Sequence, residues 1–514
     1  MVFAVVTAMR HLKPDGIATA VSSRALPFAA SLAALLVAGC AVGPDFKKPA
    51  PPDVASYTPA PLTTTAATPG VAGGEAQTFD MGSDISGDWW TLFHSKPLNA
   101  LIDQSLANNH DLKAAQAALR VARESVLAQK GAYYPSVTAG VAVSRQSQPG
   151  TLAPVPSNNA FNYNLFTPEV SVSYAPDIFG LNQRTVESLK AQEQATKFQM
   201  IATYTTLTSN VVVTAIQQAA TQEQIAATQE QIDADTKALE ILLYQLKKGY
   251  ASGLDVATQE TQLALVTAAL PPLVKQLGQL HDMQADLAGQ FPSQAPAENF
   301  TLESLQLPQD IPVSLPSTLV AQRPDVRQAE ENLHSASAQI GVAVANRLPN
   351  IQLTANAGSE ALVFGQLFAP GTGFWSLAAA LTQPIFDGGK LLHEERGARD
   401  AYVQALEQYR STVLAAFQNV ADTLTALQQD AQALKTAAAA ADAAKVTRDL
   451  TQRQLQDGYV GTLALLNAEQ AYQQARVSLV QAQAARYADT AALFQALGGG
   501  WWHRTDLAGD KHDQ

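Results

Sequence analysis

The sequence predicts a mainly α-helical protein with transmembrane β-strands. It is made of two structural repeats, each running helix, β-hairpin, long helix, returning helix. Three observations predict this. Short landmarks recur in the same order in both halves, alternating segments follow the first helix of each half, and two very long stretches lack proline.

The repeat is established first because it fixes the order of parts. Asn109-His110-Asp111-Leu112 opens a helix ending at Tyr134-Pro135-Ser136-Val137, as Arg323-Pro324-Asp325-Val326 opens one ending at Leu348-Pro349-Asn350-Ile351. Asp177-Ile178-Phe179-Gly180 recurs as Pro384-Ile385-Phe386-Asp387-Gly388-Gly389. Gln245-Leu246-Lys247-Lys248-Gly249-Tyr250 recurs as Gln454-Leu455-Gln456-Asp457-Gly458-Tyr459.

After each first helix the hydrophobic period is two, which means strand. Val137, Ala139, Val141 and Val143 alternate with Thr138, Gly140 and Ser144, and Val170, Val172 and Tyr174 with Ser171 and Ser173. In the second half Ile351, Leu353, Ala355 and Ala357 alternate with Gln352, Thr354 and Asn356, and Trp375, Leu377, Ala379 and Leu381 with Ser376 and Thr382. Loops rich in Pro, Gly and Asn, near residues 147 to 167 and 360 to 373, make each pair a hairpin with a long tip.

Each hairpin leads into a helix of unusual length. Leu181 to Lys248 contains neither Pro nor Gly, and Lys390 to Asp457 contains only Gly397 as a breaker. At 1.5 Å per residue each reaches roughly 100 Å, deeper than an ordinary globular core. Ile225, Ile232, Leu239 and Leu246 recur every seventh residue, the coiled-coil period, while the Ala-rich stretch Ala437 to Ala444 lets helices approach closely. Turns at Gly249 to Gly253 and Gly458 to Gly461 send shorter helices back, ending near Gln290 and Leu497.

Composition excludes several functions. The 514 residues are 47% hydrophobic but only 15% charged, against about a quarter in an average soluble domain. Gln, Thr, Ser and Asn supply the polarity. A net charge of -12 argues against a nucleic-acid partner, which needs clustered Lys and Arg. The single cysteine rules out a disulfide framework and any multi-cysteine metal site. His110 and His393-Glu394 lack metal-ligand spacing, and no nucleophile-elbow, phosphate-loop or dinucleotide motif is present, so no catalytic residue, metal ligand or resident cofactor is assigned.

The cysteine has a different role. Arg10, Lys13 and Arg24 precede the apolar run Ala25 to Ala38, broken by Pro27 and Ser31, and then Val37-Ala38-Gly39-Cys40. Residues 1–39 read as a signal peptide beginning at Met1 or Met9. The small residues before Cys40 resemble a bacterial lipobox, which implies N-palmitoyl and S-diacylglycerol groups on Cys40 as the only covalent additions. These exceed the two signals that stable anchoring requires. Ala41 after the cysteine resembles an outer-membrane address. Residues 40–87, dense in Pro, Thr, Ala and Gly, read as an acylated, extended leash without packed elements.

No apolar run of the mature chain is long enough for a membrane helix, whereas strands of about 9 to 11 residues suffice. Unpaired backbone in hydrocarbon costs several kcal/mol per group, so a spanning sheet must close. Four strands cannot close a barrel, but three copies supply twelve, and the same symmetry gathers long helices into a tube.

The motif order then resembles outer-membrane factors of the TolC family, within the OprM- and NodT-like lipoprotein branch. The motifs are Cys40-Ala41-Val42-Gly43-Pro44-Asp45-Phe46 with Pro49, and Asp88-Trp89-Trp90-Thr91-Leu92-Phe93 with Pro97-Leu98 and Leu101-Ile102. The paired Phe-Gly and Gly-Tyr turns follow, and finally Ala496-Leu497-Gly498-Gly499-Gly500-Trp501. They span nearly the whole mature chain, with the first repeat at 88–300, the second at 301–500 and a tail at 501–514.

The resemblance implies a homotrimer whose twelve-stranded barrel in outer-membrane lipid is continued by a periplasmic α-helical barrel. It implies a periplasmic adaptor (membrane fusion) protein and an inner-membrane RND-type pump as partners. The expected function is a passive exit duct of a tripartite efflux system for small toxic compounds or drugs. Two other readings are an outer-membrane component of type I protein secretion and a non-channel coiled-coil envelope lipoprotein. Trp89 and Trp90 suit packing near the first helix better than a membrane-interface belt.

Relatives close the periplasmic tip with carboxylates near the start of each returning helix, and Val460 to Gln470 matches that region. Asn467 stands where relatives commonly have Asp, with Gln470 one turn on and Glu469 between. Residues three apart share a helix face, so three copies would present rings of amides with Glu469 the nearest remaining acid. A plain solvated face is the other reading of Asn467 and Gln470. In Ser252-Gly253-Leu254-Asp255-Val256 the acid is kept, which implies a lock at Asp255 with Tyr459 as hydrogen-bond partner. First-turn capping suits Asp255 equally.

Overall fold

The structure, a computed structural model, describes residues 41–60, 62–148, 161–294, 300–505 and 507. The signal peptide and Cys40 lie outside the described residues. In chain order the elements are β1 (Thr78–Met81), α1 (Lys96–Asn108), α2 (His110–Lys130), β2 (Ser136–Gln148), β3 (Phe161–Tyr174), α3 (Leu181–Lys247) and α4 (Gly253–Leu287). There follow β4 (Asp310–Val313), α5 (Pro316–Gln322), α6 (Pro324–Ala345), β5 (Asn350–Ser359), β6 (Gly373–Thr382), α7 (Lys390–Gln456) and α8 (Thr462–Ala496). Helix, hairpin, long helix and returning helix thus occur twice, as the repeat predicts. The chain divides into two compact units.

The strand unit comprises 132–184, 341–392 and the described residues up to 43. Its antiparallel sheet runs β2-β3-β5-β6, so β2 and β6 are edges within one chain. Register sorts the side chains by face. Val137, Val172, Ala355 and Leu377 lie in one row across the four strands, and Ala139, Val170, Ala357 and Trp375 in another. The intervening row is Thr138, Ser171, Asn356 and Ser376. Because successive side chains point to opposite faces, one face is apolar and the other largely polar. Val137, Val141, Trp375 and Leu377 are exposed in the single chain. β5 and β6 have 10 residues each, the length a tilted crossing requires.

The helical unit takes residues 44–131, 185–340 and those from 393 on. Its core gathers residues far apart in sequence: Trp89, 1% exposed, stacks on Phe494 at 5.2 Å between ring centroids. Trp90 is buried as well, so this pair packs in a core. The expectation that 40–87 contains no packed element fails at its end. Thr78–Met81 pairs in parallel with Asp310–Val313, which satisfies its backbone, and Phe79 is buried. The glycine run after α8 is required by backbone: Gly498, Gly499 and Gly500 have φ of 100°, 71° and 68°, a region costly to side chains.

Both long helices have 67 residues. In α7 the buried positions Val413, Ala416, Val420, Leu424, Leu427, Ala431 and Leu434 step by three or four, a coiled-coil seam. In α3 the predicted heptad residues Ile225, Ile232 and Leu239 are half-buried and Leu246 is exposed. The fully buried partners of that heptad are Thr221, Thr228, Asp235 and Leu242, also seven apart. The seam of α3 is therefore partly polar.

Candidate functional site at the coil tip

The tip is built from two turns. Gly249 and Gly458 adopt φ of 78° and 77°, the left-handed geometry that ends a helix and that glycine supplies without steric cost. Tyr250 and Tyr459, the residues after them, are exposed.

The two returning helices start differently. α4 has a capping box: the Asp255 amide donates to Ser252 Oγ at 3.2 Å, and Asp255 Oδ2 accepts from the Ser252 amide at 2.9 Å. Ser252 Oγ also donates to Asp255 Oδ2 at 2.7 Å. These bonds to Ser252 hold the Asp255 carboxyl below its ordinary value. α8 starts at Gly461 with no side-chain cap. Among the described residues no hydrogen bond joins Asp255 to Tyr459 within one chain; Asp255 is bonded as a cap.

Asn467 and Gln470 are exposed on one face of α8. With Thr258, Thr261 and Gln262 of α4, and Leu463 and Leu466 of α8, they line a cavity of about 280 Å³. Glu469 does not join that face. Its Oε2 is buried without a hydrogen-bond partner. Burial first, then the charge of Asp235, push its carboxyl up to about 7, while Arg448 opposes. The helical period explains this: Asn467 and Gln470 share a face, and Glu469 at one residue's rotation from Gln470 faces inward.

Asp235 of α3 is fully buried. Its Oδ1 accepts from Gln231 Nε2 at 3.1 Å, its backbone oxygen accepts from Gln259 Nε2 at 3.0 Å, and its Oδ2 has no partner. Burial raises its carboxyl too, against those amide bonds. Sequence reasoning passed over Asp235, although an acid in step with the heptad of Ile232 and Leu239 is a usable signal.

A second missed pair, Asp430 of α7 and Asp489 of α8, is flanked by fully buried Arg486, which donates to Thr65 Oγ1 at 2.9 Å. Burial and then the adjoining Asp489 carboxyl raise Asp430 to about 7. No group of three or more His, Cys, Asp or Glu placed to hold a metal occurs among the described residues. Among them no helix is long and apolar enough to cross a membrane.

A sheet with one apolar face and open edges, in one chain with paired coils of 67-residue helices, defines a β-strand channel protein of the outer-membrane type. The family described as outer membrane efflux protein matches residues 101–287 and 315–499, and the chain belongs to it. Its place is the outer membrane and its work is efflux.

Among relatives, the toluene efflux pump outer membrane protein TtgC of Pseudomonas putida is 28% identical over 492 residues, covering 93% of this chain and 96% of its own. Outer membrane protein OprJ of Pseudomonas aeruginosa is 27% identical over 493 residues, 92% of this chain and 95% of its own. The solved outer-membrane channel OprN superposes with a TM-score of 0.79 at 25% identity, over 90% of this chain and 100% of its own. The CmeC outer membrane channel of Campylobacter jejuni shares the fold, with a TM-score of 0.80 at 21% identity over 91% and 97% of the two chains.

Proposed function

We propose that three copies of this chain form a passive exit duct that makes and breaks no covalent bonds. The single observation that carries the reading is the sheet: an apolar and a polar face, with the outer edges of β2 and β6 open among the described residues of one chain. In hydrocarbon those edges cost several kcal/mol per unpaired group. Edge-to-edge closure by three copies removes them and turns the apolar face to lipid. Acylation of Cys40 supplies a second hold on the membrane.

The duct takes its cargo from an inner-membrane RND-type pump through a periplasmic adaptor. The cargo class is small organic compounds, in keeping with relatives whose names cite toluene and pyoverdine. At its aperture Asn467 and Gln470 place amides, with Asp255 the acid of the opposite turn.

Deletion of the gene tests this reading. The strain should become hypersensitive to dyes and antibiotics, with complementation restoring resistance and no exported protein lost. Loss of an exported protein without hypersensitivity would replace this reading with protein secretion.

A further inference from the structure

The four strands of the strand unit carry two charged side chains, Arg145 on β2 and Glu169 on β3. The pleat puts them on opposite faces. Arg145 is in step with Val137, Val141 and Val143 on the apolar face, and Glu169 with Ser171 and Ser173 on the polar one. Glu169 is therefore the one charge that these strands place on their polar face.

Register leaves that carboxylate bare. Glu169 pairs with Gly140 of β2 on one side and with Gly358 of β5 on the other, so neither neighbouring strand sets a side chain beside it. At Gly358 the strands approach too closely for a side chain: a Cβ there would meet the Pro168 carbonyl and come within 3.0 Å of Glu169 Cβ. The adjoining rows of the same face are uncharged, with Thr138, Ser171 and Asn356 in one and Ala142 and Thr167 in the other. No hydrogen bond or ion pair to the Glu169 carboxylate occurs among the described residues. The bridge between Phe166 and Ala361 carries the β3–β5 register one step on and puts Glu360, exposed and past the end of β5, opposite Thr167.

We propose that Glu169 sets the ion preference of the strand-lined part of the pore. The proposal rests on the duct reading, which turns the polar face to the lumen. Three copies then place three unpaired carboxylates around one level of that lumen, one residue before the end of β5. Charge held in a water-filled passage with low-dielectric walls acts over the whole passage, because the walls focus the field, so cations gather and anions are repelled. At the coil tip, Asn467 and Gln470 give the exposed face of α8 amides without charge.

The test is the reversal potential of the full-length protein in planar bilayers under a gradient of about 0.01 to 0.1 M KCl, where the Debye length is about 30 to 10 Å. Glu169→Gln should lower the permeability ratio of potassium to chloride at least about threefold, the factor by which roughly one kT of potential changes an ion's concentration. Glu169→Lys should move the ratio further, toward anions, and Arg145→Gln, on the opposite face, should leave it as in wild type. A conducting Glu169→Gln variant with an unchanged ratio would overturn the proposal and leave the duct reading standing. Protein that never conducts fails the duct reading and takes the proposal with it.

The face is tested separately, without any current. In proteoliposomes Glu169→Cys should react with a sulfonated, membrane-impermeant maleimide, and Val170→Cys, its neighbour on the apolar face, should not. The reverse pattern would set Glu169 against lipid and overturn the proposal.

Discussion

The two coils share a length and an order of parts, yet they are held together differently. Along α7 the buried seam is made of apolar residues such as Val420, Leu427 and Leu434. Along α3 Val211 and Ala215 are buried likewise, but from Thr221 on Thr221, Thr228 and Asp235 are buried beside Ala227 and Leu242. The two threonines turn their hydroxyls back on their own helix, donating to the carbonyls of Gln217 and Gln224 at 2.8 Å each. That satisfies the hydroxyl without a partner helix but contributes little to association. The second-half seam is mostly apolar, with Asp430 Oδ2 buried in it beside Asp489, whereas the first-half seam from Thr221 on is partly polar, with Asp235 buried in it. Repeats of one plan thus divide in how polar their buried seams are.

The largest expected effect breaks that division. Ala438→Asp places in the buried seam of α7 a carboxylate with none of the amide donors that Asp235 has. Leaving a buried charge uncompensated should cost about 4 kcal/mol at pH 8 and less at pH 5, where the carboxyl takes a proton. Chemical unfolding of the detergent-solubilised protein at both pH values checks this. Next, Leu427→Ala, at a fully buried position, should cost about 3 kcal/mol. A loss below about 1 kcal/mol would contradict the picture of a closely packed apolar seam at that position.

Smaller effects belong to the tips. Ser252→Ala removes the cap of α4 and should cost about 1 kcal/mol near pH 7. Because Asp255 is held below its ordinary value, the bond's contribution is present above pH 3.8 and fades as pH falls through the lowered folded value. No such loss is expected at Gly461, which carries no side chain to remove. Last, Asn467→Asp should leave stability nearly unchanged and strengthen block of the pore by divalent cations. Unaltered block would mean that the α8 face at Asn467 does not line the aperture.

Much of this was legible in sequence, for identifiable reasons. Period-two alternation marked Val137 to Val143 and Trp375 to Leu381, and the pleat then fixed which residues share a face. Absence of breakers marked both long helices to within one residue at their ends. Two things were not legible. β1 is four residues inside a Pro- and Thr-rich segment, and it forms only because Asp310–Val313 offers an edge. The burial of Glu469 Oε2 depends on packing between helices distant in sequence. Periodicity on α8 alone separates Glu469 from Asn467 but does not name what it meets. The aromatic pair Trp89 and Trp90, expected from its position before α1 to pack near that helix, is buried.

The most direct test of the duct itself is electrical. Purified full-length protein added to one side of a planar lipid bilayer should insert as trimers and give discrete, long-lived conductance steps. Protein that is folded and trimeric by light scattering, yet never conducts under any polarity or pH, would contradict the account.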